Sequence, residues 1–285
     1  MLLALCLPAA AVDEVATYGV ENWDTCCASC GWMPWNIDAS EAVFDVFAGW
    51  ISEGKWDYAY EFQNGAVDGI DWTDFEERDW GKDDDAPYGA DASDVAFMFS
   101  HGGSNCWSGG GSPEKMWFVS GDISGQEPDL ECRPDSDDAW QFGDDDDDLE
   151  IVVMNSCHSA DTCAWNGGAF SLLYADRLHG ADLRAYMGFH GVMYNYPWSN
   201  DVMDTYVSTS RLNGLGSHWL AELWEDSIFD DADQCPVSII WGITDQNVID
   251  YHTGGGFGDR DNPTPHQSKR RVFMSGCDPD EGGTL

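Results

Sequence analysis

Two stretches decide the fold, Asp94–Gly103 (DVAFMFSHGG) and Leu149–Asp161 (LEIVVMNSCHSAD). Each is an apolar run that ends in chemistry. Val95, Ala96, Phe97, Met98 and Phe99 lead into Ser100, His101, Gly102 and Gly103. Ile151, Val152, Val153 and Met154 lead into Asn155, Ser156, Cys157 and His158. A short unbroken run of β-prone apolar residues, bounded by turn residues, reads as a strand buried on both faces. Such strands belong to parallel sheets covered by helices. In open α/β sheets, ligands and catalytic groups gather just past the carboxyl ends of the strands. His101 and Cys157 therefore each stand where an active site would be built. If the two strands are parallel neighbours, thiol and imidazole meet as a nucleophile and its base. The ring is then expected within roughly 4–7 Å of the sulfur at rest, since catalytic contacts are loose without substrate.

Outward from these strands the pattern alternates. Tyr18–Trp23 reads as a first strand. Asp38 or Ser40 suits a helix N-cap. Val43, Phe44, Val46, Phe47, Trp50 and Ile51 follow at helical spacing, and Gly54 stops the helix. Strands are expected near Tyr58–Phe62, Leu183–Phe189 and Pro236–Ile243. Helices are expected over Ala169–Leu178, Asp201–Leu212 and Ser217–Phe229, the last with Trp219, Leu220, Leu223, Trp224 and Ile228 on one side. This order is that of an α/β protein with a largely parallel sheet flanked by helices. Residues 12–253 read as a single domain with a long insertion over 104–148. Met116–Ser120 within it reads as an extra strand or hairpin arm. Residues 254–285 read as an irregular Gly-, Pro- and Asp-rich tail, with one edge strand over Arg270–Met274 tied by Cys277.

The net charge is −41, from 53 acidic and 12 basic residues. Bulk electrostatics therefore exclude nucleic acid and anionic membrane as partners. Lysine is confined to Lys55, Lys82, Lys115 and Lys269. Scarce lysine with abundant aspartate fits a saline habitat, where salt screens self-repulsion, and equally an acidic secreted protein. The five aspartates of Asp144–Asp148 read first as a solvated charge run. Calcium at Asp144, Asp146 and Asp148 is the second reading, set back because consecutive strand side chains point apart. No cofactor is required.

Residues 1–11, MLLALCLPAAA, look like the apolar part and small-residue cleavage site of a signal peptide. No later stretch reaches the ~18 apolar residues of a membrane span. The mature chain is expected to be secreted, extracellular or periplasmic. Without Cys6, nine cysteines remain. Export favours pairing eight of them: Cys26, Cys27, Cys30, Cys106, Cys132, Cys163, Cys235 and Cys277. Cys106–Cys132 is the favoured pair, because both lie in the same insertion. That arithmetic is consistent with Cys157 as the residual thiol without singling it out.

A strand ending in His-Gly, then about fifty residues, then a strand ending in Ser-Cys-His-Ser resembles the caspase-like clan of cysteine peptidases. The local motif is most similar to the metacaspase type, which has Ser-Gly-His-Gly and Asp-x-Cys-His-Ser-Gly. Asn155 stands where metacaspases carry an acidic residue, and Ala160 where they carry glycine. The layout also resembles a secreted bacterial family of unknown function, through Tyr18–Glu21 (YGVE) and Gly188–Gly191 (GFHG). The resemblance implies a three-layer caspase-like fold and cleavage of a peptide or protein substrate. His101 would be the base and Cys157 the nucleophile. The Gly102 and Cys157 N–H groups would form the oxyanion hole. Asn155 and Asp161 are read as specificity-pocket residues, with cleavage after basic residues; for Asp161 a structural role is the first reading.

Two other readings stand beside the peptidase. One is a catalytically inactive caspase-like surface or recognition module stabilised by disulfides. The other is a metal site of His101, Cys157 and His158, a poor chelate because adjacent residues point apart. The cysteine count is directly measurable. Titration of the native, non-reduced mature protein with a thiol reagent should reach about one group per chain, consistent with the even-number pairing rule. Peptide mapping should find the label on Cys157. A Cys157 locked in a disulfide would contradict the nucleophile assignment.

Overall fold

Short apolar runs line up as parallel strands at the centre of the computed structural model. It describes residues 13–21, 35–73, 81–104, 116–118, 149–161, 183–194, 197–229, 232–258, 267–279 and 285. The strands are β1 (Glu14–Gly19), β2 (Tyr58–Gln63), β3 (Val95–Phe99), β4 (Gly102–Ser104), β5 (Met116–Phe118), β6 (Ile151–Asn155), β7 (Ala185–His190), β8 (Glu225–Phe229), β9 (Ala232–Gly242) and β10 (Ser268–Phe273). The helices are α1 (Asn36–Ser52), α2 (Ser199–Thr209), α3 (Leu215–Leu223) and α4 (Asp245–Gly254). The main sheet runs β10-β9-β7-β6-β3-β1-β2, with β8 pairing β9. β2, β1, β3, β6 and β7 are parallel. β9 runs antiparallel to β7, and β10 antiparallel to β9. β4 and β5 form a separate two-stranded antiparallel ladder.

The two-residue period of a strand sorts its side chains onto two faces. Val15, Phe97, Val153, Met187 and Ile240 point to one, where Val43 and Phe47 of α1, Tyr206 of α2, Trp219 of α3 and Tyr251 of α4 cover them. Ala16, Met98, Val152, Tyr186 and Ile239 point to the other, packed with Val67, Trp72 and Ala90. The fold is three-layer α/β, as the sequence implied. Among the described residues the helices share one face, and short 3₁₀ turns and loop side chains make up the other.

Several elements depart from the sequence expectation. The first strand is Glu14–Gly19 rather than Tyr18–Trp23, because Val15 and Thr17 supply the alternation that pairs with β2 and β3 on either side. α1 begins at Asn36, and neither Asp38 nor Ser40 caps it; the N-cap is Trp35, with no side-chain cap bond. The helix expected over Ser217–Phe229 stops at Leu223. Trp224 is extended (φ −77, ψ 130), and Glu225–Phe229 form β8, since hairpin pairing with β9 outweighs the helical spacing of Trp224 and Ile228. α4 had no counterpart in the sequence reading. Its start is marked by Thr244, whose hydroxyl accepts from Asn247 N. The segments 1–11 and 169–178 lie outside the described residues.

The edge strand expected in the C-terminal stretch is present: β10 lies on β9 over six residues. The Cys235–Cys277 disulfide, Cα atoms 5.9 Å apart, fastens its far end to β9. Asp278 N donates to Asp233 Oδ2 at 3.0 Å beside it. Cys106 and Cys132, the pair favoured from the sequence, lie outside the described residues, as do Cys26, Cys27, Cys30 and Cys163. Among the described residues no helix is long and apolar enough to cross a membrane.

One buried acid makes stability depend on pH. Asp71 is 7% exposed, in a 3₁₀ turn capped by Asp68. Burial and then the charges of Asp68 and Asp85 push its carboxyl up to about 7, against the pull of the Asp68 N–H and Lys82. The unfolded chain releases this proton near pH ~4. Between these values the folded state binds more protons, so stability falls as pH rises from about 4 to about 7 and stays reduced above. Asp71→Asn removes the ionisation and keeps an oxygen for the Asp68 N–H. The variant should gain on wild type through this window, by at most about 4 kcal/mol above pH 7. Urea unfolding at pH 5 and pH 8 measures it; an equal difference at both would refute the assignment.

Candidate active site

The two stretches that decide the fold end side by side. β3 and β6 pair in parallel from Val95↔Ile151 to Phe99↔Asn155, and every residue of both is buried. Just past the ladder, Ser100 N donates to Asn155 O at 3.4 Å. The strand order reverses between β1 and β3, the position where open α/β sheets bind ligands.

Contact between the two loops is made through Gly102. A Cβ there would lie 2.5 Å from the Cys157 carbonyl oxygen and 2.8 Å from Ser156 Oγ. Glycine alone allows the loop after β3 to lie against the Ser156–Cys157 backbone. His101, the residue before, is half-buried. Cys157 carries a thiol and is 4% exposed. Its sulfur donates to Met193 O and accepts from Met193 N, each at 3.4 Å.

Behind Cys157 the backbone turns sharply, with His158 at φ +58. His158 N donates to Gly191 O at 2.7 Å, and its ring meets Asp161, Nδ1 to Oδ2 2.9 Å. Asp161 Oδ1 accepts from Gly191 N at 2.9 Å and lies 3.2 Å from His190 Nδ1. Burial alone would raise the Asp161 carboxyl. The bonds from His158 and His190, the His158 charge and the Gly191 N–H overcome that and hold it well below the usual carboxylate range. An ionised Asp161 makes Nδ1 the donor in both imidazoles. Ser159 Oγ donates to Met154 O and Ser156 O and accepts from Phe189 N. The Cys157 loop is thus fastened to β6 and to the end of β7.

Asp161 is not presented to a pocket: both its oxygens are used internally and it is 1% exposed. Asn155 lines a small cavity of about 20 Å³ with Tyr194, Trp198, Met203, Leu223 and Gln234, room for about one water. A larger groove, about 630 Å³, runs between the N-terminal halves of α1 and α2 and is lined by Asp38, Glu41, Asp45, Asp201 and Asp204. The calcium candidates Asp144, Asp146 and Asp148 lie outside the described residues. Among the described residues no three His, Cys, Asp or Glu side chains converge as a metal set. The roles of Met193 and His190 were missed from the sequence. GFHG at Gly188–Gly191 was the available signal for His190; nothing in the sequence marked Met193.

No protein-family model, curated protein or solved structure matches this chain. The site therefore rests on its own geometry.

The loop contact is testable by one added methyl. Gly102→Ala should destabilise by about 1–3 kcal/mol, the range of overpacking against fixed backbone. Gly49→Ala in α1, where a Cβ meets nothing within 4 Å, should stabilise by about 0.5–1 kcal/mol. Denaturant melts of the two variants should move in opposite directions.

Proposed function

We propose that this protein is a cysteine endopeptidase of caspase-like type, with Cys157 as nucleophile and His101 as base. The observation that carries this reading is the contact of Gly102 with the Cys157 carbonyl, which joins the His101 and Cys157 loops at the carboxyl ends of adjacent parallel strands. His101 takes the thiol proton, and the thiolate sulfur attacks the peptide carbonyl carbon. The Gly102 and Cys157 N–H groups meet the oxyanion. The C–N bond breaks as His101 returns the proton to the leaving amine. Water, activated by His101, then hydrolyses the thioester and restores the thiol.

The acidic groove between α1 and α2 supports basic residues in the substrate. Both helices leave the sheet at its carboxyl edge, as do His101 and Cys157. The burial of the Cys157 sulfur against Met193 favours the second reading, an inactive caspase-like recognition module. Export to a secreted or extracellular location belongs to the same proposal and rests on the apolar start of the chain.

Fluorogenic peptides with Arg, Lys, Asp, Asn or Leu before the scissile bond decide between the readings. Cleavage after Arg or Lys is expected. Cys157→Ala should abolish it, and His101→Ala should lower kcat by about 10²–10⁴-fold, the share of a general base. Cleavage only after Asp or Asn would refute the basic preference, and cleavage surviving Cys157→Ala would refute the nucleophile.

A further inference from the structure

Cys157 sits under a strap. After β7 the chain runs Gly191, Val192, Met193, Tyr194, and its backbone is zipped to the Cys157 loop at every other residue. Phe189 O accepts from Ala160 N at 2.8 Å, and Gly191 O from His158 N at 2.7 Å. Met193 N and O both meet the Cys157 sulfur. Tyr194 N is held from the far side by Gln234 Oε1 at 3.0 Å. Met193 is 2% exposed and Cys157 4%. A sulfur so covered cannot reach a peptide carbonyl until the strap lifts.

Asp161 lies at the root of this strap. Its Oδ1 takes the Gly191 N–H and the His190 ring, and its Oδ2 takes the His158 ring. One carboxylate therefore binds the first strap residue, the residue before it and the neighbour of Cys157. Gly191 has φ +71, a left-handed turn that places its N–H on Asp161 and its carbonyl on His158.

We propose that Asp161 is a positioning residue that latches the Gly191–Tyr194 strap over the Cys157 thiol, so that the resting protein is a shielded form. This rests on the reading of Cys157 as the nucleophile. Asp161 acts through His158, His190 and Gly191. Strap opening is a local event, distinct from unfolding, since it breaks the bonds of one loop while the sheet stays intact.

The test is the rate of Cys157 alkylation in the folded protein, read with small iodoacetamide and with a bulky maleimide dye. Wild type should label slowly, and the dye far more slowly than iodoacetamide. Asp161→Asn and His190→Ala should label at least about tenfold faster, the change in opening equilibrium that loss of one charge-assisted hydrogen bond allows. The gain should be larger for the dye. His190→Asn, whose amide N–H replaces Nδ1, should return the wild-type rate. Wild type should also label at a rate nearly flat in urea below its unfolding transition.

Labelling of native wild type at the rate of denatured protein would overturn the latch. So would variants that label at the wild-type rate, or acceleration equal for both probes that only tracks a lower unfolding temperature. If the variants do not fold, the urea profile decides: a wild-type rate rising in parallel with global unfolding overturns the proposal. Failure of the peptidase reading looks different, because it leaves no peptide cleavage whatever the labelling rate.

Discussion

A strand buried on both faces can show chemistry only at its ends. β3 and β6 are in that position, with helices on one side and loop side chains on the other. Parallel pairing puts the carboxyl ends of β2, β1, β3, β6 and β7 on one edge of the sheet. His101, Cys157 and His190 follow from that constraint, each at or just past the end of its strand. So does the grip of Asp161, which can reach His190 because β6 and β7 are neighbours ending at the same edge. Gly102 completes the arrangement by letting the first loop lie on the second.

The acidity of the chain is handled by partition. Among the described residues most carboxylates stay in water, where high dielectric and salt weaken repulsion. The few that are buried are bonded or carry a shifted proton. Asp94 accepts from Glu14 N at the start of β1. The Asp233 carboxylate accepts from Asp278 N beside the disulfide. Asp161 is satisfied by three donors and stays ionised, whereas Asp71, with acidic neighbours, keeps its proton to about pH 7. Two buried aspartates thus sit in opposite states, and the donors around each decide which.

The centre of the fold was legible because burial on both faces leaves an unbroken apolar run. Val95–Phe99 and Ile151–Asn155 could hardly be anything else. α1 was legible for a similar reason, since Val43, Phe47 and Trp50 repeat at helical spacing against the sheet. Elements whose identity depends on a distant partner were not legible. Glu225–Phe229 fits a helix face by spacing and is a strand because β9 lies beside it. α4 has a weak apolar stripe, Val248 and Tyr251, and its cue is the local cap at Thr244. At the site, the strand-end positions of His101 and Cys157 could be read directly. The Asp161 grip could not, because two of the partners it joins, His190 and Gly191, lie some thirty residues away in sequence.

The geometry behind Cys157 carries two energetic costs. A side chain at φ +58, as at His158, costs roughly 1–2 kcal/mol relative to the right-handed region. An ionised carboxylate removed from water is costlier still unless every lone pair is met. Both costs fall within four residues of Cys157, and both residues bond Gly191, two residues before Met193. Met193 O accepts from the Cys157 S–H and Met193 N donates to the same sulfur, so two successive peptides of the strap meet one atom. His158 N and Asp161 Oδ1 both hold Gly191, so the strained turn and the buried carboxylate fix the backbone that meets the Cys157 sulfur.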